Sequence, residues 1–130
     1  MLYDKRWDRK VETAPTEPWR GLLLDAANLL RERGLAKGTQ LSEKGEVCLH
    51  GAIRFTRWGV PSYEEYWSKD FACRRTDATI CRAENAVRDY LRRNGVSSNL
   101  AAEHGCAGWN NERERTQDEV IAALEGAASS

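Results

Sequence analysis

The chain has 130 residues, 41% of them hydrophobic and 31% charged, and its formal net charge is zero. Such a composition is typical of one soluble globular domain, and it excludes both a disordered chain and a dedicated double-strand DNA binder with a strong basic excess. No apolar run approaches the roughly 18 residues of a membrane span, and residues 1–10 contain no apolar core of a secretory signal.

The N-terminal residues 1–15 are polar and predict an arm that precedes a single domain over 16–128. The first predicted helix covers about residues 17–33, where leucines and alanines recur with helical spacing. Pro18 falls in its first turn and Gly34 just after its end, and these are the positions that proline and glycine favour at helix termini.

Glycines and polar residues predict a loop over 34–46, after which helical spacing of apolar residues returns. The later helices are expected at about 47–57, 63–71, 78–94 and 99–104, and from Thr116 to about Gly126, where the apolar stripe ends. No convincing alternation of apolar and polar residues indicates a strand. The predicted fold is therefore all-α, a compact single-domain bundle of about five to six helices, two long and several short.

The stretch from Cys48 to Ile53 places a thiol, an imidazole and a Gly51-Ala52 step within six residues. A glycine inside a helix costs about 1 kcal/mol relative to alanine, so Gly51 predicts the close approach of another backbone. We expect the first helix and the corner at Trp109 to pack there. The residues with a predicted structural role are Cys48, Gly51, Ala52, Trp109, Asn110, Thr116 and Glu119.

A metal site or a small enzyme is the first chemical alternative, because Cys48, His50, His104 and Cys106 together make a zinc-type ligand set. Neither Cys-x-His nor His-x-Cys forms the usual Cys-x2–4-Cys knuckle, however, and residues two apart on a helix point in different directions. The four cysteines also lack the clustered spacing of an iron–sulfur protein. We therefore predict no catalytic residue and no cofactor. Buried thiols and ordinary histidines are favoured. Because no export signal is apparent, we expect a cytoplasmic protein whose cysteines are free thiols.

A nucleic-acid accessory protein is the second alternative, and it depends on a run of arginines. These are Arg74, Arg75, Arg82, Arg88, Arg92 and Arg93. Glu84 and Asp89 interrupt the run, so a solvated helix face is favoured over a nucleic-acid interface.

An aromatic-rich segment over 56–77 is the main local anomaly, with five aromatic residues between positions 58 and 71. A nine-residue helix cannot easily bury so many rings, and Trp and Tyr are enriched at binding hot spots. The predicted partner-binding patch consists of Trp58, Tyr63, Tyr66 and Trp67.

Four short motifs resemble those of an uncharacterised family of actinobacteria and their phages, the domain of unknown function 6197. They are Glu32-Arg33-Gly34, the G-x-x-C-x-x-G-A-I run from Gly45 to Ile53, Trp109-Asn110-Asn111, and the T-x-x-E-V run from Thr116 to Leu124. Asn111 stands where the family usually has Asp, and the segment over 56–77 resembles an insertion. The resemblance implies a small helical domain of actinobacterial or phage origin, and it implies no reaction.

These observations favour a small cytoplasmic helical accessory protein that binds another protein. For a phage-encoded chain, the partner would be a host factor in the host cytoplasm. Membrane binding is not expected, and nucleic-acid binding is the less favoured alternative.

Overall fold

The computed structural model describes residues 17–59, 62–73, 77–97 and 106–130. The predicted arm over 1–15 and the predicted short helix over 99–104 lie outside the described residues. Within the described ranges all regular structure is helical, so the all-α prediction is confirmed.

Six helices make up the described fold. They are α1 (Pro18–Arg33), α2 (Leu49–Trp58), α3 (Tyr63–Cys73), α4 (Ala78–Arg93), α5 (Ala107–Asn111) and α6 (Gln117–Ser129). The two long helices, α1 and α4, are those that the apolar spacing predicted. The short helix α5 was not predicted, because five residues carry too little periodicity to be recognised.

Helix α1 forms the centre of the core, where it packs against α2, α4 and α6. Its inward side chains lie on one stripe and are nearly inaccessible to solvent; they are Trp19, Leu22, Leu23, Ala26, Ala27 and Leu30. The helix ends where Gly34 takes a positive φ of 89°, a conformation that only glycine adopts at little cost. The chain then turns into the loop over 34–48.

The loop over 34–48 is held to the domain by backbone hydrogen bonds rather than by a regular strand. Leu35 and Leu41 each form an isolated bridge with Val47, which is fully buried. Cys48 N–H donates to the Gln40 carbonyl oxygen at 3.1 Å, so the loop folds back on itself just before α2 begins. This arrangement places Gln40 against the start of α2.

Helix α6 closes the domain and extends further than the sequence indicated. Thr116 and Glu119 form the predicted capping box, in which each side chain accepts a hydrogen bond from the other residue's backbone N–H. The helix continues through Gly126 to Ser129, and the absence of a side chain on Gly126 leaves room for the Tyr90 ring of α4. In the part of the chain that the structure describes, no helix combines the length and apolarity needed to cross a membrane.

Candidate functional site

Tyr66 belongs to the core and not to the surface. It is fully buried, and its hydroxyl donates to the Gln40 side-chain oxygen at 2.6 Å. Its ring lies 5.9 Å from that of Phe55 and 5.5 Å from that of Trp58, measured between ring centroids. Tyr66 therefore anchors α3 to α2, contrary to its prediction as a partner contact. Trp58 is itself half-buried against the core.

A row of three rings occupies the flank of α3 next to Tyr66. Tyr63, Trp67 and Phe71 are spaced four residues apart, so they lie along one side of the helix. Phe71 is 88% exposed and Tyr63 is 37% exposed, whereas Trp67 is half-buried. The Tyr63 and Trp67 rings meet edge to face at 6.2 Å. We call these three residues the α3 aromatic stripe. Its most exposed member, Phe71, was not in the predicted patch.

A buried cluster of charged groups joins α2 to α3 and α4. Arg54 of α2 is only 9% exposed. Its Nε and Nη2 donate to the two carboxylate oxygens of Glu84 at 2.9 and 3.2 Å, and its Nη1 donates to Asp70 at 3.1 Å. Such a cluster is stable only because each charge faces its opposite, and removal of one member leaves the others unpaired.

The surroundings of this cluster shift the pKa values of its members in opposite directions. Burial alone would raise the pKa of Glu84, but the His50 hydrogen bond and the Arg54 guanidinium hold it below the usual range. Burial raises the pKa of the Tyr66 hydroxyl, and the nearby Asp70 carboxylate raises it further. Glu84 is therefore ionised and Tyr66 is a neutral hydrogen-bond donor at neutral pH.

His50 uses both of its ring nitrogens inside the protein. Nδ1 lies 2.9 Å from Glu84 Oε2, and Nε2 accepts the Cys106 backbone N–H at 2.8 Å. The Nε2 lone pair is therefore used by the Cys106 N–H, and Nδ1 faces a carboxylate oxygen, so neither nitrogen is free to bind a metal ion. His50 is therefore not available as a ligand for the metal alternative, which needs Cys48, His50, His104 and Cys106 together. His104 lies outside the described residues, among which no metal-type cluster occurs.

Cys48 acts as the N-cap of α2, where its sulfur accepts the Gly51 N–H at 3.3 Å. Burial raises the pKa of the Cys48 thiol, and burial raises the pKa of Cys106 to about 12. A nucleophilic cysteine needs a lowered pKa, so these two thiols are in the wrong environment for that role. Of Cys48, Cys81 and Cys106, only Cys81 is exposed.

Gly51 is approached by another backbone, as its position inside a helix predicted. A Cβ built on Gly51 would lie 1.8 Å from the Gln40 carbonyl oxygen and 2.7 Å from its carbon. The atoms nearest to that Cβ all belong to Gln40 in the loop over 34–48, a neighbour that the sequence did not indicate. Ala52, the other half of the small-residue step, is fully buried.

Asn110 fixes the same loop from the side of α5. Its Oδ1 accepts the Leu49 N–H at 3.0 Å, and its Nδ2 donates to the Ala36 carbonyl oxygen at 3.1 Å. Trp109 is buried beside it, with the Arg115 guanidinium 4.1 Å from its ring centroid. The corner at Trp109 and Asn110 is therefore a structural clamp, consistent with the role predicted for both residues.

These elements enclose an open pocket of about 350 Å³ between the loop, α2, α3 and α5. Its side-chain lining consists mainly of Thr39, Gln40, Cys48, Arg54, Trp67 and Asn111. We call it the Gln40 pocket. Trp67 belongs both to this pocket and to the α3 aromatic stripe.

The arginines of α4 do not form one strip. At about 100° of rotation per residue, Arg82 and Arg93 lie on one side of the buried face of α4, and Arg88 and Arg92 on the other. Arg82 stacks on the Trp19 ring at 4.7 Å, and Arg88 pairs with the adjacent Asp89. Arg74 and Arg75 lie outside the described residues. The predicted basic strip is thus divided between two faces.

The residues of the buried charge cluster were not predicted from the sequence. One signal was present: His50 and Arg54 are four residues apart, so they share the face of α2 that reaches Glu84. Nothing in the sequence indicated Gln40 or Asp70 as their neighbours, because these come from a loop and from another helix.

The chain matches a family of unknown function, DUF6197, over residues 14–130, and it therefore belongs to that family. Neither the curated proteins nor the solved structures include a significant match to the chain.

Proposed function

We propose that this member of the DUF6197 family is a small accessory protein that acts by binding another protein through the α3 aromatic stripe. The observation that carries the proposal is the 88% exposure of Phe71, next along the helix to the Trp67 and Tyr63 rings. A phenylalanine gains nothing for folding at such a position, whereas burial of its ring by a partner is favourable.

The chemistry around the stripe defines the partner. Glu64 is exposed and lies on the same side of α3 as Phe71, two turns away at the N-terminal end of the helix. The fitting partner surface is an apolar hollow that covers Phe71, with a lysine or arginine placed to meet Glu64. Tyr63 and Trp67 supply the residue types that contribute most often to binding hot spots.

The setting of this proposal is the cytoplasm. The sequence motifs resemble an actinobacterial and phage family, which makes a cytoplasmic host protein the expected partner of a phage-encoded chain. The free thiols of Cys48, Cys81 and Cys106 agree with a reducing compartment.

Site-specific photo-cross-linking of the full chain in an actinobacterial host tests the proposal. A benzophenone amino acid replaces Phe71 in one variant and Leu24 in the other. Leu24 is the matched control because it is a large apolar residue of α1 that is 45% exposed. We expect one discrete protein adduct from position 71 and none of that size from position 24.

Binding measurements with the purified partner then assign the contact. Phe71→Ser and Tyr63→Ala should each weaken the affinity at least about tenfold, as removal of a hot-spot ring does, and Leu24→Ser should leave it unchanged. Equal adducts from positions 24 and 71, or an unaltered affinity after Phe71→Ser, would rule out the stripe as the interface.

A further inference from the structure

Gln40 presents a hydrogen-bond donor to the Gln40 pocket. Its Oε1 is saturated, because it accepts from Arg54 Nη1 at 3.0 Å and from the Tyr66 hydroxyl at 2.6 Å. Arg54 can only donate, so the side-chain amide orientation is fixed with the oxygen toward it. The Nε2 group of Gln40 consequently faces away from these two, and it has no partner among the described residues.

Asn111 repeats this arrangement on another wall of the same pocket. Its Oδ1 accepts the Gly38 backbone N–H at 2.9 Å and the Asn110 Nδ2 at 3.1 Å. Both neighbours are donors, which again fixes the amide orientation. The Nδ2 group of Asn111 is left without a partner in the described part of the chain.

Trp67 adds an apolar wall to the pocket. Its indole nitrogen is buried and has no hydrogen-bond partner among the described residues, although the ring lines the pocket. An indole can only donate. The unused hydrogen-bonding capacity of these three lining side chains is therefore entirely of the donor type, and a complementary ligand must supply acceptors.

The charge balance decides which acceptor fits. Arg54 is the charged residue of the pocket lining, and its guanidinium is already paired with Glu84 and Asp70. A carboxylate or phosphate in this pocket would lose hydration and would approach two buried carboxylates without a free cation to offset them. A neutral carbonyl oxygen meets the same donors without that cost.

We propose that the Gln40 pocket binds an uncharged amide, whose carbonyl oxygen accepts from the side-chain NH2 groups of Gln40 and Asn111. The group attached to the carbonyl lies against the Trp67 ring. This proposal does not depend on the protein-binding proposal, since it concerns the hydrogen-bonding chemistry of the pocket rather than the exposure of Phe71.

A matched pair of small aromatic compounds tests the proposal. Benzamide and benzoate share one ring and differ in whether the acceptor is a neutral amide or a carboxylate. Titration of the full chain, followed by the 1H–15N signals of the Gln40 and Asn111 side chains, should give saturable shifts with benzamide. We expect benzoate to bind at least about fivefold more weakly, as an unfavourable charged contact does. Equal or tighter binding of benzoate, or no shift of either amide, overturns the proposal.

Asn111→Asp separates the donor from the structure around it. The aspartate keeps an oxygen for the Gly38 N–H and for Asn110, but it exchanges the free NH2 for a second acceptor. Benzamide affinity should fall at least about fivefold. Asn28→Asp makes the same change at an exposed position of α1, where Asn28 accepts from Arg31, and it should leave benzamide affinity unchanged. If both variants bind benzamide like the parent while their melting temperatures are unaltered, the assigned donor is wrong.

Discussion

The N-terminal half of α2 and the neighbouring helix α3 differ in how completely their side chains are used inside the domain. In α2, His50 has both nitrogens engaged, Arg54 faces two carboxylates, and Gly51 has no space for a methyl group. In α3, Tyr66 is equally engaged, but Phe71 on the other flank is 88% exposed. The polar and charged side chains of α2 therefore stabilise the fold. The exposed apolar surface lies on α3.

The largest effect is expected from Arg54→Met, which removes the cation at the centre of the buried charge cluster. Glu84 and Asp70 would then lose their guanidinium partner inside the core, and breaking a buried ion pair costs about 3–5 kcal/mol. Urea denaturation at neutral pH measures the loss of unfolding free energy.

Arg57→Met provides the matched control on the same helix. Arg57 pairs with Asp77 at 3.0 Å, but its side chain is 45% exposed. Exposed pairs contribute about 0–1 kcal/mol, so this variant should resemble the parent. If the two variants lose similar amounts of unfolding free energy, the buried charge cluster stabilises the protein no more than an exposed ion pair does.

The second effect concerns the glycine that meets the Gln40 backbone. Gly51→Ala forces a Cβ to within 1.8 Å of the Gln40 carbonyl oxygen, so the loop or the helix must move. We expect a loss of about 3 kcal/mol, at the upper end of the usual cost of overpacking. Gly21→Ala is the control, because Gly21 is also helical and a methyl group on it would meet no neighbouring group within 4 Å. It should gain about 0.5–1 kcal/mol. Thermal melts that shift in the same direction would contradict this difference.

Much of the fold could be predicted because the information is local. The stripe of α1, the stop at Gly34 and the capping box at Thr116 each depend on residues within a few positions of one another. The short helix α5 could not be predicted in this way, and the end of α6 was missed because Gly126 is normally a terminator. There, packing against Tyr90 overrides the local preference.

The site was less predictable because its partners are distant in sequence. The need for a close approach at Gly51 is a local inference, but the identity of Gln40 as the neighbour depends on how the loop folds. Arg54, Glu84 and Asp70 each resemble ordinary surface charges in the sequence, and only their tertiary proximity makes them a cluster. The aromatic count of α3 was informative, but helical rotation, not composition, decides which ring is buried.

The third effect is a pH dependence of the unfolding free energy, and it comes from the buried charge cluster around α2. The pKa of Glu84 is held low by His50 and Arg54 against the effect of burial, so its contribution is present above its unfolded pKa. That contribution is lost as the pH falls through the folded pKa. Glu84→Gln should therefore be less stable than the parent at neutral pH, and the difference should shrink below about pH 5.

Denaturant titrations at several pH values measure this difference. Some acid sensitivity should remain in Glu84→Gln because the pKa of Asp77 is also lowered: burial would raise it, but the Ile80 N–H and Arg57 outweigh that effect. A difference between parent and variant that stays constant down to pH 3 would show that Glu84 is not stabilised as a carboxylate.

The smallest effect on stability is expected from Phe71→Ser, on the unused flank of α3. With 88% of its surface exposed, the ring contributes little to folding, so the unfolding free energy should change by less than about 0.5 kcal/mol. Tyr66→Phe on the buried flank should cost about 1 kcal/mol, because it deletes the hydroxyl that binds Gln40. On a hydrophobic-interaction column, Phe71→Ser should shorten the retention time more than Tyr66→Phe does. Phe71→Ser removes exposed apolar surface, and Tyr66→Phe removes none. A loss of unfolding free energy above about 1 kcal/mol for Phe71→Ser would indicate that the chain itself covers this ring. The α3 aromatic stripe would then contribute to folding, as the side chains of α2 do.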